Sequence, residues 1–307
     1  MKMTMTYPIT QIKEKVTVKQ YLLNLGYSQS LIRQLRNTEN GIMVGGESVY
    51  TTRILKPGDS LSVFIREDES SENIVPTPMA IQIEYEDEHI LVVNKEAGIP
   101  IHPSQGNFDH TLANGTAYYF KEKGESFIYR AINRLDRDTT GLLILAKNPL
   151  SACILSDMVQ KREIRRRYLA VACGKLPLEG TIDAPIARVE GSTIERCVDR
   201  INGEEARTHY KRLYYDPVTG HSLVSLCLET GRTHQIRVHL KSIGHPIPGD
   251  FLYHPDYGYI KRQALHSFRL DFLHPIKKEP LSFEAPLPED MQFLGITSTE
   301  GLWDNDF

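Results

Sequence analysis

The sequence is poor in cysteine. Its four cysteines, Cys153, Cys173, Cys197 and Cys227, are scattered and form no CxxC pair. That argues against a disulfide-stapled scaffold and against a structural zinc site. No stretch approaches the roughly 18 uninterrupted apolar residues of a membrane-spanning helix, and no membrane partner is expected. The opening residues MKMTMTYPIT lack the apolar run of a secretory signal, so a reducing cytoplasm is the expected location. An excess of basic charge is missing too: the net charge is −3, which does not advertise nucleic-acid binding. There is no GxxxxGK[ST], no GxGxxG after a strand, no GxSxG and no HExxH. Nothing therefore suggests nucleotide-driven, redox or metallohydrolase chemistry, and the expected reaction uses no cofactor and no metal.

What is present is an ordinary globular composition, with 40% hydrophobic and 24% charged residues in 307. That length suits about two domains, each able to bury a core. The charge is unevenly spread. Residues 11–65 carry seven Lys/Arg against four Asp/Glu, whereas 66–73 (REDESSEN) carry one against four. The segment 161–167 (KREIRRR) holds five basic residues and one acidic, which alone reads most simply as a solvated helix face.

Hydropathy patterning divides the chain. Residues 15–27 and 28–37 read as two short helices, with Leu31, Ile32 and Leu35 on one side of the second and Arg33 and Arg36 on the other. A Gly45-Gly46 turn and the alternating Leu61, Val63 and Ile65 complete a compact unit. Residues 66–78, acidic and closed by two prolines, read as a linker. From residue 80 strands dominate. The unbroken runs Ile90–Val93 and Gly141–Ala146 predict strands covered on both faces. Helices fit near 108–122, 149–162 and 233–243. Strands outnumber helices without alternating with them. The expected fold is therefore α+β: a small N-terminal α/β domain, then a domain built on a mixed, mainly antiparallel sheet flanked by helices.

Three segments carry groups suited to chemistry. In Asn133-Arg-Leu-Asp-Arg-Asp-Thr-Thr-Gly141, Asp136 and Asp138 stand among Arg134 and Arg137. Neighbouring guanidinium groups favour an ionised carboxylate, which can act as nucleophile or general base; a surface turn with local ion pairs is the simpler alternative. Residues 228–250 crowd Arg232, His234, Gln235, Arg237, His239 and Lys241 at an expected helix start at Thr230-Gly231, an arrangement suited to an anionic partner. The spacing of His234 and His239 is not that of a zinc helix. Tyr168, after three arginines, can stack on a base or pack as a strand-edge ring.

These segments together resemble the RluA family of RNA pseudouridine synthases over residues 80–290. INRLDRDTTGLLILAKN is similar to the family's motif around its catalytic aspartate, with Asn133 where His is common and Thr140 where Ser is common. IEYEDEHILVVNKEAGIPIHP resembles the first family motif, with Glu96 in place of a usual proline. RRRYLAVACG, LETGRTHQIRVHLKSIGHPIPGD and ALHSFRLDFLHP follow in the family's order. Residues 11–65 resemble the small S-four-like RNA-binding domain that often precedes this catalytic domain.

The resemblance implies a domain plan: an RNA-binding domain at 11–65, a linker at 66–78, a catalytic domain at 79–295 and a tail at 296–307. It implies that uridines in RNA are isomerised to pseudouridine after being flipped out of the stack. Asp136 is then essential, whether it attacks the ribose or the base or removes a ribose proton. Arg232 is expected to pair with Asp136, Tyr168 to stack on the uracil and assist the late proton transfer from C5, Ile236 to floor the site, and Arg134 to hold the nucleotide or the gap it leaves. Arg33 and Arg36 are expected to bind RNA. Ribosomal RNA of the large subunit is the favoured partner, transfer RNA the alternative, and a monomer the expected state. Two competing readings come from other classes. Asp136–Thr140 satisfies the DxDx[TV] loop of haloacid-dehalogenase-like phosphatases, although the strongly apolar strand that should precede it is missing. An inert synthase-like protein that only binds RNA or assists ribosome assembly is the other.

Overall fold

A computed structural model describes residues 1–12 and 15–298. Most of the tail at 296–307 therefore lies outside the described residues. The N-terminal part contains β1 (Lys2–Pro8), α1 (Val18–Asn24), α2 (Gln29–Asn37), β2 (Ile42–Val44), β3 (Glu47–Ser48) and β4 (Ser60–Arg66). Thr17 caps α1 with a reciprocal capping box through Gln20, and Ser28 caps α2 by accepting from Leu31 N. The strands form one sheet in the order β1-β4-β2-β3. β1 precedes residue 11, where this unit was expected to begin, yet it pairs with β4 along its whole length, from Lys2 opposite Arg66 to Pro8 opposite Ser60. Its alternation of Met3, Met5 and Tyr7 turns those side chains inward.

The remaining elements are β5 (Gln82–Glu86), β6 (Ile90–Lys95), α3 (Leu112–Glu122), β7 (Thr140–Ala146), α4 (Pro149–Gln160), β8 (Arg165–Cys173), β9 (Glu179–Asp183), β10 (Ile186–Arg188), β11 (Arg196–Val198), β12 (Arg207–Asp216), β13 (His221–Leu228), α5 (Gln235–Ser242), β14 (Leu265–Leu273) and β15 (Pro280–Glu284). The large sheet runs β5-β6-β7-β14-β8-β13-β12-β9, with β15 added on β14. Every pairing is antiparallel except β14 on β7, so the sheet is mixed and mainly antiparallel, as expected. β10 and β11 form a separate hairpin. Among the described residues no helix is long and apolar enough to cross a membrane.

The two apolar runs are buried on both faces. Leu91, Val93, Leu143 and Leu145 enter one core with α3 and the β8–β13 strands. Ile90, Val92, Leu142 and Ile144 point the other way, into a core that also contains Val18, Leu22, Leu31 and Leu61 of the N-terminal part and Leu155 and Met158 of α4. The small sheet and its helices thus cover the back of the large sheet. The segment 66–78 is bonded along its course rather than acting as a free tether. Phe127 N donates to Ser70 Oγ and Tyr129 N to Ser71 Oγ, Glu67 pairs with Arg130, and Asn114 Nδ2 donates to Val75 O.

The parallel join between β7 and β14 depends on Gly141. Its φ is +107°, and a Cβ there would lie 2.1 Å from Ser267 O. Left-handed strain and a clash with fixed backbone add, so Gly141→Ala is expected to cost roughly 3 kcal/mol or more of stability. A denaturant titration against the wild-type chain measures this directly.

Candidate active site

The loop that carries Asp136 leaves the large sheet at Asn133. Ala131 bridges Leu145, and Ile132 N donates to Ile144 O. The next rung is made by a side chain: Ile144 N donates to Asn133 Oδ1 at 2.9 Å. With the amide oxygen standing in for a main-chain acceptor, the backbone turns away, carries Arg134 and Asp136 out over the sheet, and re-enters at Thr140. Thr139 N closes the turn on Asp136 O.

The buried Lys95 pins this loop from below. Its Nζ donates to Glu96 O and Arg137 O, both at 2.7 Å. Burial pushes its pKa down to about 7, opposed by the carboxylates of Asp138 and Asp136. The folded chain therefore holds fewer protons than the unfolded one between pH 7 and the ordinary lysine value of 10.5. Stability from this group is lowest below pH 7 and rises with pH through that window. Compared with Lys95→Met, the wild-type unfolding free energy should climb above pH 7 and run parallel below it, as parallel denaturant titrations will show.

Asp136 meets a buried arginine, and that arginine is Arg237 rather than Arg232. Arg237 Nη1 donates to Asp136 Oδ2 at 2.7 Å. Its Nε and Nη2 form a fork on Asp250, at 2.7 and 2.8 Å. The side chains of Arg237 and Asp250 are 1% and 0% exposed, whereas that of Asp136 is 27% exposed. Leu252 N and Tyr253 N also donate to Asp250, and the Tyr253 ring lies beneath the guanidinium, 4.9 Å from it. Burial opposes the charge of Arg237, but bonding to Asp250 and the charge of Asp136 hold its pKa above the usual guanidinium value. The trio therefore contains two carboxylates and one cation. Only Asp136 faces open space, and its Oδ1 is the oxygen that Arg237 leaves free.

The expected pairing of Arg232 fails because the helix starts later than Thr230. α5 begins at Gln235, after His234 in a left-handed conformation. Arg232 stays on the preceding loop, where Nη1 meets Glu204 Oε2 at 2.5 Å and Nε donates to Glu205 O. Arg237, in the first turn, points inward. Its signal in the sequence is faint. Gln235 to Leu240 are all buried, so α5 shows no polar face from which to tell an inward arginine from an outward one. Asp250 lies 13 residues further on, joined to Arg237 only by tertiary structure.

A cleft of about 730 Å³ opens over Asp136 and is lined by Arg134, Tyr168, Arg232, Ile236 and Arg237 among others. The fold thus gathers every catalytic-domain residue expected at the site, although the roles divide differently. Ile236 lies against the cleft and is 4% exposed. Tyr168 is equally buried, and burial raises its pKa, so the phenol keeps its proton at the wall of the cleft. Arg134 is exposed at the mouth, shared with a smaller basic recess that also takes in Arg188 and Arg196. The basic segment 161–167 is not a solvated helix face: Arg162 and Arg166 border the cleft, and β8 begins at Arg165. Arg33 and Arg36 stand apart, exposed on α2.

The arrangement has relatives. The family model for RNA pseudouridylate synthase matches residues 89–242, which span the Asp136 loop, Tyr168 and Arg237. The chain is 41% identical over 281 residues to YjbO of Bacillus subtilis (strain 168), named an uncharacterized RNA pseudouridine synthase, covering 91% of this chain and 98% of that one. It is 39% identical over 249 residues to the ribosomal large subunit pseudouridine synthase D of Neisseria meningitidis serogroup A, covering 77% of this chain and 66% of that one. The solved human RNA pseudouridylate synthase domain containing 1 superposes with a TM-score of 0.57 at 28% identity, covering 68% of this chain and 85% of that one. The likeness covers the sheet, the cleft and the loop that crosses it, and the chain belongs to the RluA-type family of RNA pseudouridine synthases.

Proposed function

We propose that Asp136 is the catalytic carboxylate and that the substrate is a uridine of large-subunit ribosomal RNA. The observation that carries the assignment is the asymmetry of the buried charge cluster. Arg237 and Asp250 are sealed off, and Arg237 fixes Asp136 with one oxygen turned into the cleft. A carboxylate held this way needs no further activation, only a substrate brought to it. The uridine reaches it by leaving the RNA stack, at a cost of a few kcal/mol that phosphate contacts to Arg134, Arg162 and Arg166 offset. Tyr168 and Ile236 offer the flipped base an apolar wall. A monomeric state and a cytoplasmic location belong to the same proposal. Relatives named as ribosomal large subunit synthases support the choice of RNA.

The test is release of tritium from C5-labelled uridine, with chelator present and no cofactor added. Transcripts of large-subunit ribosomal RNA and of transfer RNA are compared. Release from the ribosomal transcript is expected. Release from transfer RNA alone would move the target, and release from neither would refute the reading.

Residues 11–65, extended by β1, are proposed as an S-four-like RNA-binding domain that supplies affinity through α2. Deleting this domain would strip the cover from Ile90, Val92, Leu142 and Ile144, so charge reversal is the cleaner probe. The double substitution Arg33→Glu/Arg36→Glu is expected to weaken RNA binding about tenfold or more at moderate salt and to flatten its salt dependence. Turnover of bound RNA should change little. Filter binding across a salt series, with single-turnover rates, checks both.

A further inference from the structure

His234 is a non-glycine residue in the left-handed region, at φ 57° and ψ 18°, directly beside the Asp136 carboxylate. Such a conformation costs of order 1 kcal/mol and persists where surrounding contacts impose it. Here those contacts fix the ring. Nδ1 lies 2.9 Å from Tyr253 Oη, and the two rings meet edge to face. The tyrosine oxygen already accepts from Arg196 N at 2.9 Å. With one lone pair occupied by Arg196 N, the hydroxyl has a proton to give and Nδ1 is the acceptor beside it; in that arrangement the neutral imidazole carries its own proton on Nε2. Burial favours that neutral form. Nε2 is 4.0 Å from Asp136 Oδ1, beyond hydrogen-bond reach, and both residues line the cleft. The structure thus holds an oriented, unspent N–H beside the free oxygen of the reactive carboxylate.

We propose that His234 is a catalytic residue whose Nε2–H donates a hydrogen bond to the O2 carbonyl of the target uracil as its bond to the ribose breaks. The inference rests on the uridine-isomerising reading above. With the ribose against Oδ1, C1′ lies at the carboxylate, and O2 is the uracil carbonyl nearest C1′. When the C1′–N1 bond breaks, its electron pair stays with the uracil and spreads over N1, O2 and O4. A fixed donor at O2 stabilises that anion more than the neutral base, which is the condition for accelerating the step. No proton leaves His234. The base turns, C5 bonds to C1′, and the proton lost at C5 is balanced by the one gained at N1.

The experiment uses ribosomal RNA transcripts with a trace of C5-tritiated uridine, 2-thiouridine or 4-thiouridine among unlabelled uridines. Sulfur is a poor acceptor, so the wild-type protein should turn over 2-thiouridine about tenfold more slowly than uridine. His234→Ala should lower kcat on uridine about a hundredfold with little change in KM, and should distinguish uridine from 2-thiouridine by less than about twofold. His234→Gln keeps a side-chain N–H and should recover both activity and sensitivity to 2-thiouridine. An equal 2-thio effect in the wild-type protein and His234→Ala would overturn the proposal, as would a His234-dependent effect that appears with 4-thiouridine instead. Failure of the wild-type protein on uridine itself would refute the underlying function and not this role alone.

Discussion

Asp136→Asn should abolish tritium release, by roughly 10⁴-fold or more, while leaving the protein folded and bound to RNA. The two properties separate because of where the charge sits. An asparagine carbonyl still accepts from Arg237 Nη1, and Arg237 keeps its full fork on Asp250. The buried pair is neutral by itself, so no uncompensated charge is created. The oxygen proposed to react, Oδ1, is lost. Removing a negative charge from the cleft should leave RNA binding unchanged or slightly tighter. Single-turnover release and filter binding on the same preparation test both halves. Activity within tenfold of wild type would remove Asp136 from the mechanism and strengthen a purely RNA-binding reading.

The second large effect concerns Arg237. Arg237→Met leaves Asp250 wholly enclosed and without its cation, and breaking a buried pair from one side costs about 3–5 kcal/mol. Activity should fall with it, since Asp136 loses the donor that fixes its Oδ2. Arg237→Met/Asp250→Asn separates the causes. The amide removes the uncompensated buried charge, and its oxygen still accepts from Leu252 N and Tyr253 N. The double variant should therefore regain most of the lost stability yet remain at least about a hundredfold slower than wild type. Denaturant midpoints and single-turnover rates provide the comparison. Full recovery of activity in the double variant would show that Arg237 serves folding alone.

The parts that were legible from sequence are those set by local pattern. The runs Ile90–Val93 and Gly141–Ala146 carry no polar alternation, and successive residues indeed enter opposite cores. α2 follows from Ser28 and the spacing of Leu31, Ile32 and Leu35. Asp136, Tyr168 and Ile236, singled out from the family motifs, line one cleft. The misreadings share a cause. Choosing between Arg232 and Arg237 requires the helix start to within a turn, and His234 sets that start by adopting a conformation that no propensity favours. The role of Asp250 needs a partner supplied by tertiary structure alone. β1 announced itself by alternating Met3, Met5 and Tyr7 with threonines and lysine, but a lone strand at a chain end is unremarkable until its neighbour, β4, is known.

The core shared between the small sheet and the back of the large one also governs the order in which the chain can be completed on the ribosome. Val18, Leu22 and Leu31 are made early, yet the surface they close upon includes Leu142 and Ile144, and finally Leu270, Phe272 and Ala285. Contacts of such long sequence separation form late. At about 5–20 residues per second, a nascent chain needs on the order of 10–60 s to reach residue 285. Throughout that interval the N-terminal apolar face lacks its last partners, so chaperone demand should fall on the first third of the protein during translation of the rest.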